Sequence, residues 1–229
     1  MRLLSWNIRD LLGDPLAVHR VIRAARPDVV CLQEAPRRPG ARLRLHLLER
    51  GTGLRCVAGG RRAGGTAILV APGVRTGWNC AVRLPVPGRF ARTRGICVAD
   101  LRVPGEPWTA VASVHLPLQP DLRLRHVQLA RQLVAWRGLP AVVAGDLNEE
   151  AGEPAWRAWQ PLCADPAPDS GVTFPAAGPH RRIDAVLVGP RLRVVDYRAG
   201  AGADPGDVRL ASDHLPVLAT LLPLTGVTP

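Results

Sequence analysis

Polar residues able to bind a metal or move a proton recur in one sequence context. Each lies at or just past the end of a short apolar segment typical of a buried strand. In chain order they are Asn7, Glu34, His115, Asp146, Asn148, Asp184 and the adjacent pair Asp213 and His214. Strand ends in layered α/β folds gather at one edge, so we expect these side chains to lie together. Carboxylate and amide oxygens suit a hard divalent cation, and imidazoles suit charge stabilisation.

Each of these residues also has a simpler explanation. An isolated Asp after a strand usually belongs to a turn or caps a helix, and a lone histidine such as His115 is often a hydrogen-bonded core residue. The consistent chemistry of the whole set favours a shared site over a series of independent turns.

The elements that must position this set are predicted from the hydrophobic pattern and from turn residues. Strands are predicted at residues 2–8, 28–34, 54–58, 66–70, 92–103, 108–116, 141–144, 182–188, 192–197 and 215–222. Helices are predicted at 14–25, where Asp14 and Pro15 supply the cap and first turn, at 41–50 with Gly51 as the stop, and at 121–136. Because strands and helices interleave, we expect sheets covered by helices rather than an all-β barrel.

The segment 59–65 is rich in glycine and arginine and has two interpretations. Its backbone, with Arg61 and Arg62, could cradle a phosphate group. It lacks the Walker pattern, however, and a plain connection between two strands is favoured because such hairpin loops are common.

The length of 229 residues and the 47% hydrophobic content predict one domain, 1–229, with a sizeable core. No apolar run reaches the roughly 20 residues needed to cross a bilayer, and the first residues do not fit a signal peptide. The five cysteines are scattered without metal-site spacing, so we expect reduced structural thiols. These features predict a cytoplasmic monomer without stable membrane association.

The formal net charge of +11 favours polyanionic partners, nucleic acid first and anionic lipid headgroups second. All of the basic residues are arginine and the sequence contains no lysine. With the abundance of Ala, Gly and Pro, this composition is also typical of a GC-rich coding bias. The charge is therefore weak support for a nucleic-acid partner.

Six segments together resemble the motif series of the endonuclease/exonuclease/phosphatase superfamily, in that family's order and over almost the whole chain. They are Ser5-Trp6-Asn7-Ile8, Leu32-Gln33-Glu34, Ser113-Val114-His115-Leu116, Gly145-Asp146-Leu147-Asn148, Arg182-Ile183-Asp184 and Ser212-Asp213-His214-Leu215-Pro216-Val217. The resemblance implies a DNase I-like α/β fold, a four-layer αββα sandwich of two mixed β-sheets flanked by helices. It also implies a hydrolase that acts on phosphoesters with Mg²⁺, or with Mn²⁺ in its place.

The resemblance also implies a role for each residue of the set. Asn7, Glu34 and Asp213 would hold the metal, and their hard oxygens suit Mg²⁺. The resemblance further implies that Asp146 orients or activates the attacking water and that Asn148 positions the nucleophile or the phosphate. His214 would stabilise the charge on the phosphoryl oxygens, and Asp184 would fix the tautomer of His214. His115 would bind or protonate the scissile phosphate, as in the pancreatic DNase-like and sphingomyelinase-like branches.

The sequence departs from one branch of the family. The apurinic-site endonucleases carry an aspartate two residues after the first asparagine, where this chain has Arg9, and a mid-chain tyrosine, whereas the single tyrosine here is Tyr197. These differences disfavour a role in base-excision repair. The segment Thr173-Phe174-Pro175 resembles a loop of many bacterial members and is expected to line the cleft.

The predicted function is a nuclease or phosphodiesterase that promotes in-line attack of water on a phosphoester. The alternative is a phosphatase, or a sphingomyelinase- or phospholipase C-like hydrolase of a lipid or small phosphoester, because one metal centre serves both. A catalytically silent binding module is disfavoured, since every expected catalytic residue type is present. The sequence leaves open the substrate, the number of metals, and endo- versus exo-action.

Overall fold

The chain forms two β-sheets with helices on their outer faces. The computed structural model describes residues 1–84, 86, 93–200 and 202–224. Its strands are β1 (Arg2–Asn7), β2 (Val29–Gln33), β3 (Arg55–Gly59), β4 (Ala67–Val70), β5 (Arg75–Leu84), β6 (Arg94–Arg102), β7 (Thr109–His115), β8 (Ala141–Asp146), β9 (Asp184–Val188), β10 (Leu192–Ala199) and β11 (Val217–Pro223). Its α-helices are α1 (Pro15–Ala25), α2 (Ala41–Thr52), α3 (Pro120–Ala135), α4 (Pro154–Arg157) and α5 (Pro205–Ala211).

The two sheets pack face to face. The six-stranded sheet has the order β10-β11-β1-β2-β4-β3, and the five-stranded sheet has the order β5-β6-β7-β8-β9. Both are mixed, because β1 pairs parallel with β2 and β7 pairs parallel with β8 while their other neighbours are antiparallel. Apolar residues from the inner faces, such as Leu3, Cys31, Val111 and Val142, are fully buried between them. The predicted αββα sandwich is therefore confirmed.

The outer helices cover each sheet through one apolar face. Val18, Val21 and Ile22 recur at helical spacing on α1 and pack on the outer face of the six-stranded sheet. The Asp14 side chain caps this helix by accepting a hydrogen bond from the amide of Leu16 at 2.8 Å. On the other side of the molecule, Val127 of α3 belongs to the apolar cluster over the five-stranded sheet.

Strand register sets the polar residues of interest in a row. Asn7 lies opposite Gln33 in the β1–β2 pair, so Glu34 follows directly at the same sheet edge. In the other sheet Asp146 lies between His115 and Asp184, its partners on β7 and β9. The carboxyl ends of the parallel strands thus point to one edge, as the sequence predicted.

The predicted strands and long helices are present within a few residues of their expected ends, with specific exceptions. Gly51 was predicted to stop α2, and this is wrong: the helix continues to Thr52 and ends at Gly53, which has a φ of 75°. Gly51 instead lets α1 and α2 approach, because a Cβ there would lie 2.2 Å from Nδ1 of His19. Arg92, the predicted first residue of a strand, lies outside the described residues.

Three elements were not predicted. The edge strand β5 was missed because its side chains alternate between exposed and half-buried rather than forming an apolar run. The short helices α4 and α5 were also missed, although Asp204-Pro205 repeats the capping signal of Asp14-Pro15: the Asp204 side chain accepts hydrogen bonds from Gly206 and Asp207 amides.

Within the described ranges, no helix combines the length and apolar character needed to cross a membrane. The single domain over 1–229, the cytoplasmic location and the monomeric state stay predictions.

Close packing at Gly145 can be tested directly. A Cβ at this position of β8 would lie 2.0 Å from the carbonyl oxygen of Val114 on the neighbouring strand. We expect Gly145→Ala to lower the free energy of unfolding by about 1–3 kcal/mol, because the clash is with backbone rather than with a flexible side chain. Gly178→Ala is the matched control, since no atom lies within 4 Å of its added Cβ. Urea unfolding of both variants measures the difference, and equal stabilities would contradict the prediction.

Candidate active site

A buried histidine–carboxylate pair lies at the shared sheet edge. Nδ1 of His214 lies 2.9 Å from Oδ2 of Asp184 and 3.2 Å from its Oδ1. Asp184 is 1% exposed and His214 is 6% exposed, so water does not compete strongly for this bond. The two residues are 30 positions apart in sequence. They meet because Asp184 is the first residue of β9 and lies beside the loop that carries His214 into β11.

Neighbouring backbone and side-chain groups hold both members of this pair. The Thr173 hydroxyl accepts a hydrogen bond from the amide of Asp184 at 3.2 Å. The carbonyl oxygen of His214 accepts a hydrogen bond from Nε1 of the fully buried Trp6 at 2.8 Å. The backbone amide of His214 donates a hydrogen bond to Oγ of Ser212 at 3.2 Å. Ser212 in turn donates to the carbonyl oxygen of Asn7 at 2.6 Å. The imidazole is therefore fixed in place and orientation.

Asp146 is a second buried carboxylate and the centre of the hydrogen-bond network. Its Oδ2 accepts from Nδ2 of Asn7 at 3.1 Å and lies 3.3 Å from Nε2 of His115 and 3.9 Å from Nε2 of His214. Its Oδ1 accepts from the amide of Asn148 at 3.0 Å. Asp146 thus joins residues from the ends of four separate chain segments.

Asn148 is held by a local turn. It adopts a φ of 51°, a left-handed conformation that Asn tolerates better than most residues. Its Nδ2 donates to the carbonyl oxygen of Leu116 at 2.8 Å, which leaves the second amide hydrogen and the side-chain oxygen for other partners.

The net effect of burial and of the charges of neighbouring groups is to raise the pKa values of both Asp146 and His214. For Asp146, burial, followed by the charge of Asp184, raises the pKa to about 7, although His214 opposes this. For His214, burial is the largest influence and lowers the pKa, but Asp184, Asp146 and Asp213 together outweigh it and raise the pKa to about 10. The imidazole is therefore a cation at neutral pH, and it compensates the buried carboxylates.

A cleft of about 540 Å³ opens beside this network. Glu34, Asp213 and His214 line it, whereas Asn7, His115, Asp146 and Asp184 are only 1–2% exposed and Asn148 is half-buried outside the lining. Glu34 immediately follows β2 and has a φ of 47°, a left-handed conformation at the strand end. The structure thus brings the predicted residues to one place, with two carboxylates on the wall of the cleft and the hydrogen-bonded network beside it.

The donor set on the cleft wall fits a hard divalent cation. Glu34 and Asp213 are partly exposed carboxylates on one cavity, and Mg²⁺ prefers one or two carboxylates together with retained waters. Asn7 lies next to them, and its Oδ1 accepts a hydrogen bond from the amide of Arg9 at 3.0 Å, which leaves one lone pair. Asp213 forms a long ion pair with Arg9, at 3.7 Å, that a cation could replace.

A second arrangement of ligands is also present. Among the described residues, Asp146, Asp184 and His214 form a group whose ligand atoms lie within 4.8 Å of one another. Because the His214 ring already bonds Asp184 and is protonated at neutral pH, it has no free lone pair for a metal. We therefore describe this trio as a hydrogen-bonded acid–base set, and the cleft-wall carboxylates as the better cation ligands.

Sequence reasoning missed the residues that shape the cleft entrance. Asp10 is buried, 4% exposed, and accepts a hydrogen bond from the amide of Arg37 at 2.9 Å. It also lies 3.1 Å from Nε of Arg38, and its carbonyl oxygen accepts from Nη2 of Arg44. The signal in the sequence is the position of Arg9 and Asp10 directly after the Asn7 motif, which places both residues at the same strand end as Asn7.

The segment Thr173-Phe174-Pro175 was predicted to line the cleft. The ring of Phe174 lies against that of His214, with centroids 4.7 Å apart and an angle of 46° between the planes. Together with the Thr173 bond to Asp184, this contact places the segment against the histidine–carboxylate pair.

Comparisons with known proteins agree with this architecture. A sequence-family model described as "Endonuclease/Exonuclease/phosphatase family" matches residues 4–214. No curated protein matches the sequence significantly. A functionally unknown conserved protein from Enterococcus faecalis V583 has a TM-score of 0.82 and 19% identity over 98% of this chain and 100% of that chain.

Two further solved structures of similar fold are a named phosphatase and a protein named TDP2. A mannosyl-6-phosphatase of Bacteroides thetaiotaomicron VPI-5482 has a TM-score of 0.80 and 17% identity, and the match covers 97% of this chain and 99% of that one. Truncated TDP2 of Caenorhabditis elegans has a TM-score of 0.69 and 19% identity, and the match covers 96% of both chains. At these identities the similarity shows a shared fold.

The charge state of His214 is testable by NMR. In chelator-treated protein, we expect its Cε1–H resonance to titrate near pH 10, because the surrounding carboxylates favour the imidazolium. Asp184→Asn removes the largest influence that raises this pKa while burial remains, so the proton should be lost at clearly lower pH. Asp207→Asn, which removes an exposed partner of Arg20, is the matched control and should leave the titration unchanged. The resonance is assigned to His214 by its absence from the spectrum of the His214→Gln variant. If Asp184→Asn titrated at the same pH as wild type, Asp184 would not be the cause of the raised pKa.

Proposed function

The chain belongs to the endonuclease/exonuclease/phosphatase family, and from this membership we propose that it is a Mg²⁺-dependent phosphodiesterase that cleaves nucleic acid. The observation that carries the proposal is the network of Asp184, His214, Asn7, Asp146 and His115, buried beside a cleft that Glu34 and Asp213 line with partly exposed carboxylates. A phosphoester hydrolase needs a positive charge facing the phosphate and a base near the attacking water, and this network contains both.

His214 is proposed to stabilise the charge that develops on the phosphoryl oxygens. Its ring lines the cleft and is protonated at neutral pH. Asp184 holds its Nδ1, so Nε2, which lies 3.4 Å from Nδ2 of Asn7 and 3.9 Å from Oδ2 of Asp146, is the nitrogen proposed to act on the phosphate. The pairing with Asp184 keeps this donor in one orientation without reorganisation during the reaction.

Asp146 is proposed to orient and deprotonate the attacking water. Its raised pKa, about 7, lies near the working pH expected for a general base. Asn148 is proposed to position the phosphate or the nucleophile with the amide hydrogen that Leu116 does not use. The resemblance gives His115 a contact with the phosphate, but its burial at 1% and its 3.3 Å contact with Asp146 favour an action through that carboxylate.

Glu34, Asp213 and Asn7 are proposed to hold the divalent ion, with Mg²⁺ preferred and Mn²⁺ able to replace it. When bound, such an ion binds a phosphate oxygen and neutralises charge in the transition state. The protein supplies hard oxygen donors on a cavity large enough for an ion that retains its waters.

The second candidate function is hydrolysis of a small or lipid phosphoester by a phosphatase or a phospholipase C-like enzyme. Its support is the similarity of fold to a mannosyl-6-phosphatase over nearly the full length of both chains. One active site can serve both reactions, because the chemistry resides in the phosphate group. A panel of single-stranded DNA, duplex DNA, RNA, sugar phosphates and phospholipids separates them, and release of a sugar phosphate or lipid headgroup with nucleic acids intact would overturn the nuclease proposal.

The role of His214 is tested by removing its charge. We expect His214→Ala to lower kcat/KM for a generic phosphodiester by about 100-fold or more, because a preorganised charge stabiliser is lost. His46→Ala, a change on the exposed face of α2, is the control and should retain activity. A His214→Ala enzyme within about threefold of wild type would contradict the assignment.

The metal ligands are tested by titration calorimetry with Mg²⁺ and Mn²⁺. Glu34→Gln and Asp213→Asn each remove a carboxylate from the cleft wall, so we expect the Kd for the ion to rise about tenfold or more. Glu150→Gln, which removes an exposed carboxylate paired with Arg181, is the matched control and should bind as wild type does. Unchanged affinity in both cleft variants would place the ion elsewhere.

A further inference from the structure

A second groove, about 670 Å³ in volume, adjoins the catalytic cleft, and Arg38 lines both. We call it the arginine groove. Its lining residues are Pro36, Arg38, Pro39, Gly40, Ala41, Arg42, Leu45, Gly59, Gly60, Arg61, Arg62 and Arg83. They come from the chain before α2, the first half of α2, the β3–β4 connection and the edge strand β5.

Apart from Arg38, which pairs with Asp10, the arginines of this groove are not neutralised by a carboxylate among the described residues. The groove lining contains no carboxylate, and Arg42, Arg61, Arg62 and Arg83 are exposed and form no ion pair with any other residue that the structure describes. Several arginines elsewhere face a carboxylate, as in the pairs Arg20–Asp207, Arg137–Asp100, Arg182–Asp165 and Arg123–Glu149, whereas others, such as Arg23 and Arg193, are exposed at scattered positions without an ion pair to another described residue. A coding bias explains why basic residues are arginine, but it does not explain why the exposed arginines of the groove collect without partners beside the cleft.

The groove is held in shape by contacts between its own parts. Nη2 of Arg83 donates to the carbonyl oxygen of Arg61 at 3.1 Å, which joins the edge strand of one sheet to the β3–β4 connection of the other. At the end nearest the cleft, Arg38 is held by the buried Asp10 at 3.1 Å. Arginine side chains therefore line the groove from Arg38, which it shares with the cleft, to Arg83.

We propose that the arginine groove binds the phosphodiester backbone of a polynucleotide whose scissile bond lies in the adjoining cleft. This inference rests on the proposed nuclease function and specifies how its substrate is held. Planar guanidinium groups suit phosphate oxygens because they can donate two hydrogen bonds to one group. The lining contains no aromatic residue on which a base could stack, so the groove contacts phosphates and is indifferent to sequence.

An anionic bilayer is the rival partner for a surface rich in arginine. Leu43 and Leu47 are 63% and 52% exposed on α2 and could contact lipid. The groove is concave, however, and a single chain of phosphates can enter it while a planar headgroup layer meets only its rim. We therefore favour the polynucleotide, and vesicle binding becomes one outcome of the test.

The test compares Arg61→Ala/Arg62→Ala with Arg23→Ala/Arg193→Ala. The control pair removes the same charge from exposed positions on α1 and on β10, the strand at the opposite edge of the six-stranded sheet from β3. Binding of a fluorescent single-stranded 20-mer is measured by anisotropy in chelator, so that no cleavage occurs, at several salt concentrations. Hydrolysis of bis(4-nitrophenyl) phosphate and of the 20-mer is then measured with Mg²⁺, and thermal melting confirms that each variant is folded.

We expect the groove variant to bind the 20-mer about tenfold more weakly at 0.1 M salt, with the salt slope reduced by about 1.4, since each phosphate contact contributes about 0.7 for a single strand. The ratio of kcat/KM for the 20-mer to that for the small diester should fall about tenfold, while the control pair matches wild type. Equal binding by the groove and control variants would overturn the proposal. So would groove-dependent sedimentation with phosphatidylserine vesicles without oligonucleotide binding. If wild type hydrolyses neither substrate, the proposed function fails, whereas the anisotropy data still decide whether the groove binds a polynucleotide.

Discussion

The burial of two carboxylates side by side is the constraint on which the rest of the site depends. Asp146 and Asp184 are neighbours across the β8–β9 pair, with 2% and 1% of their surfaces exposed. Two negative charges cannot remain buried without compensation, because desolvation favours their neutral forms. The protonated ring of His214 supplies that compensation, and the bonds from Ser212 and Trp6 hold the ring where it is needed.

Much of this arrangement could be predicted because it depends on strand ends. Apolar runs that end in a polar residue, as at Asn7 or Asp146, specify both a buried strand and the edge where its side chain emerges. The fold followed from the order of the motifs. The missed features depend on contacts distant in sequence or on weak local patterns. Asp10 and the arginines around it, Arg37, Arg38 and Arg44, lie about 30 residues apart in the sequence, and nothing in either segment shows the pairing.

Arginine has several distinct structural uses in this protein, although its abundance has a compositional explanation. Arg137 pairs with Asp100 and lies over the ring of Trp78, with 4.4 Å to the ring centroid, and so stabilises one face of the five-stranded sheet. Arg123 of α3 forms a buried ion pair with Glu149. Arg42, Arg61, Arg62 and Arg83 of the arginine groove are exposed and have no such partner among the described residues, so their charge acts on solvent and solutes. Composition therefore fixes which residue is used, and placement decides what it does.

The bond from Ser212 to the carbonyl oxygen of Asn7 joins residues separated by 205 positions in the sequence. The first strand of one sheet and the loop before the last strand thus complete the reactive centre together. During translation, Asn7, Glu34 and Asp146 leave the ribosome well before His214 does. The site is therefore assembled only when residues 212–214 pack against the first strand, because neither segment contains the arrangement by itself. Local folding of either segment alone does not form it.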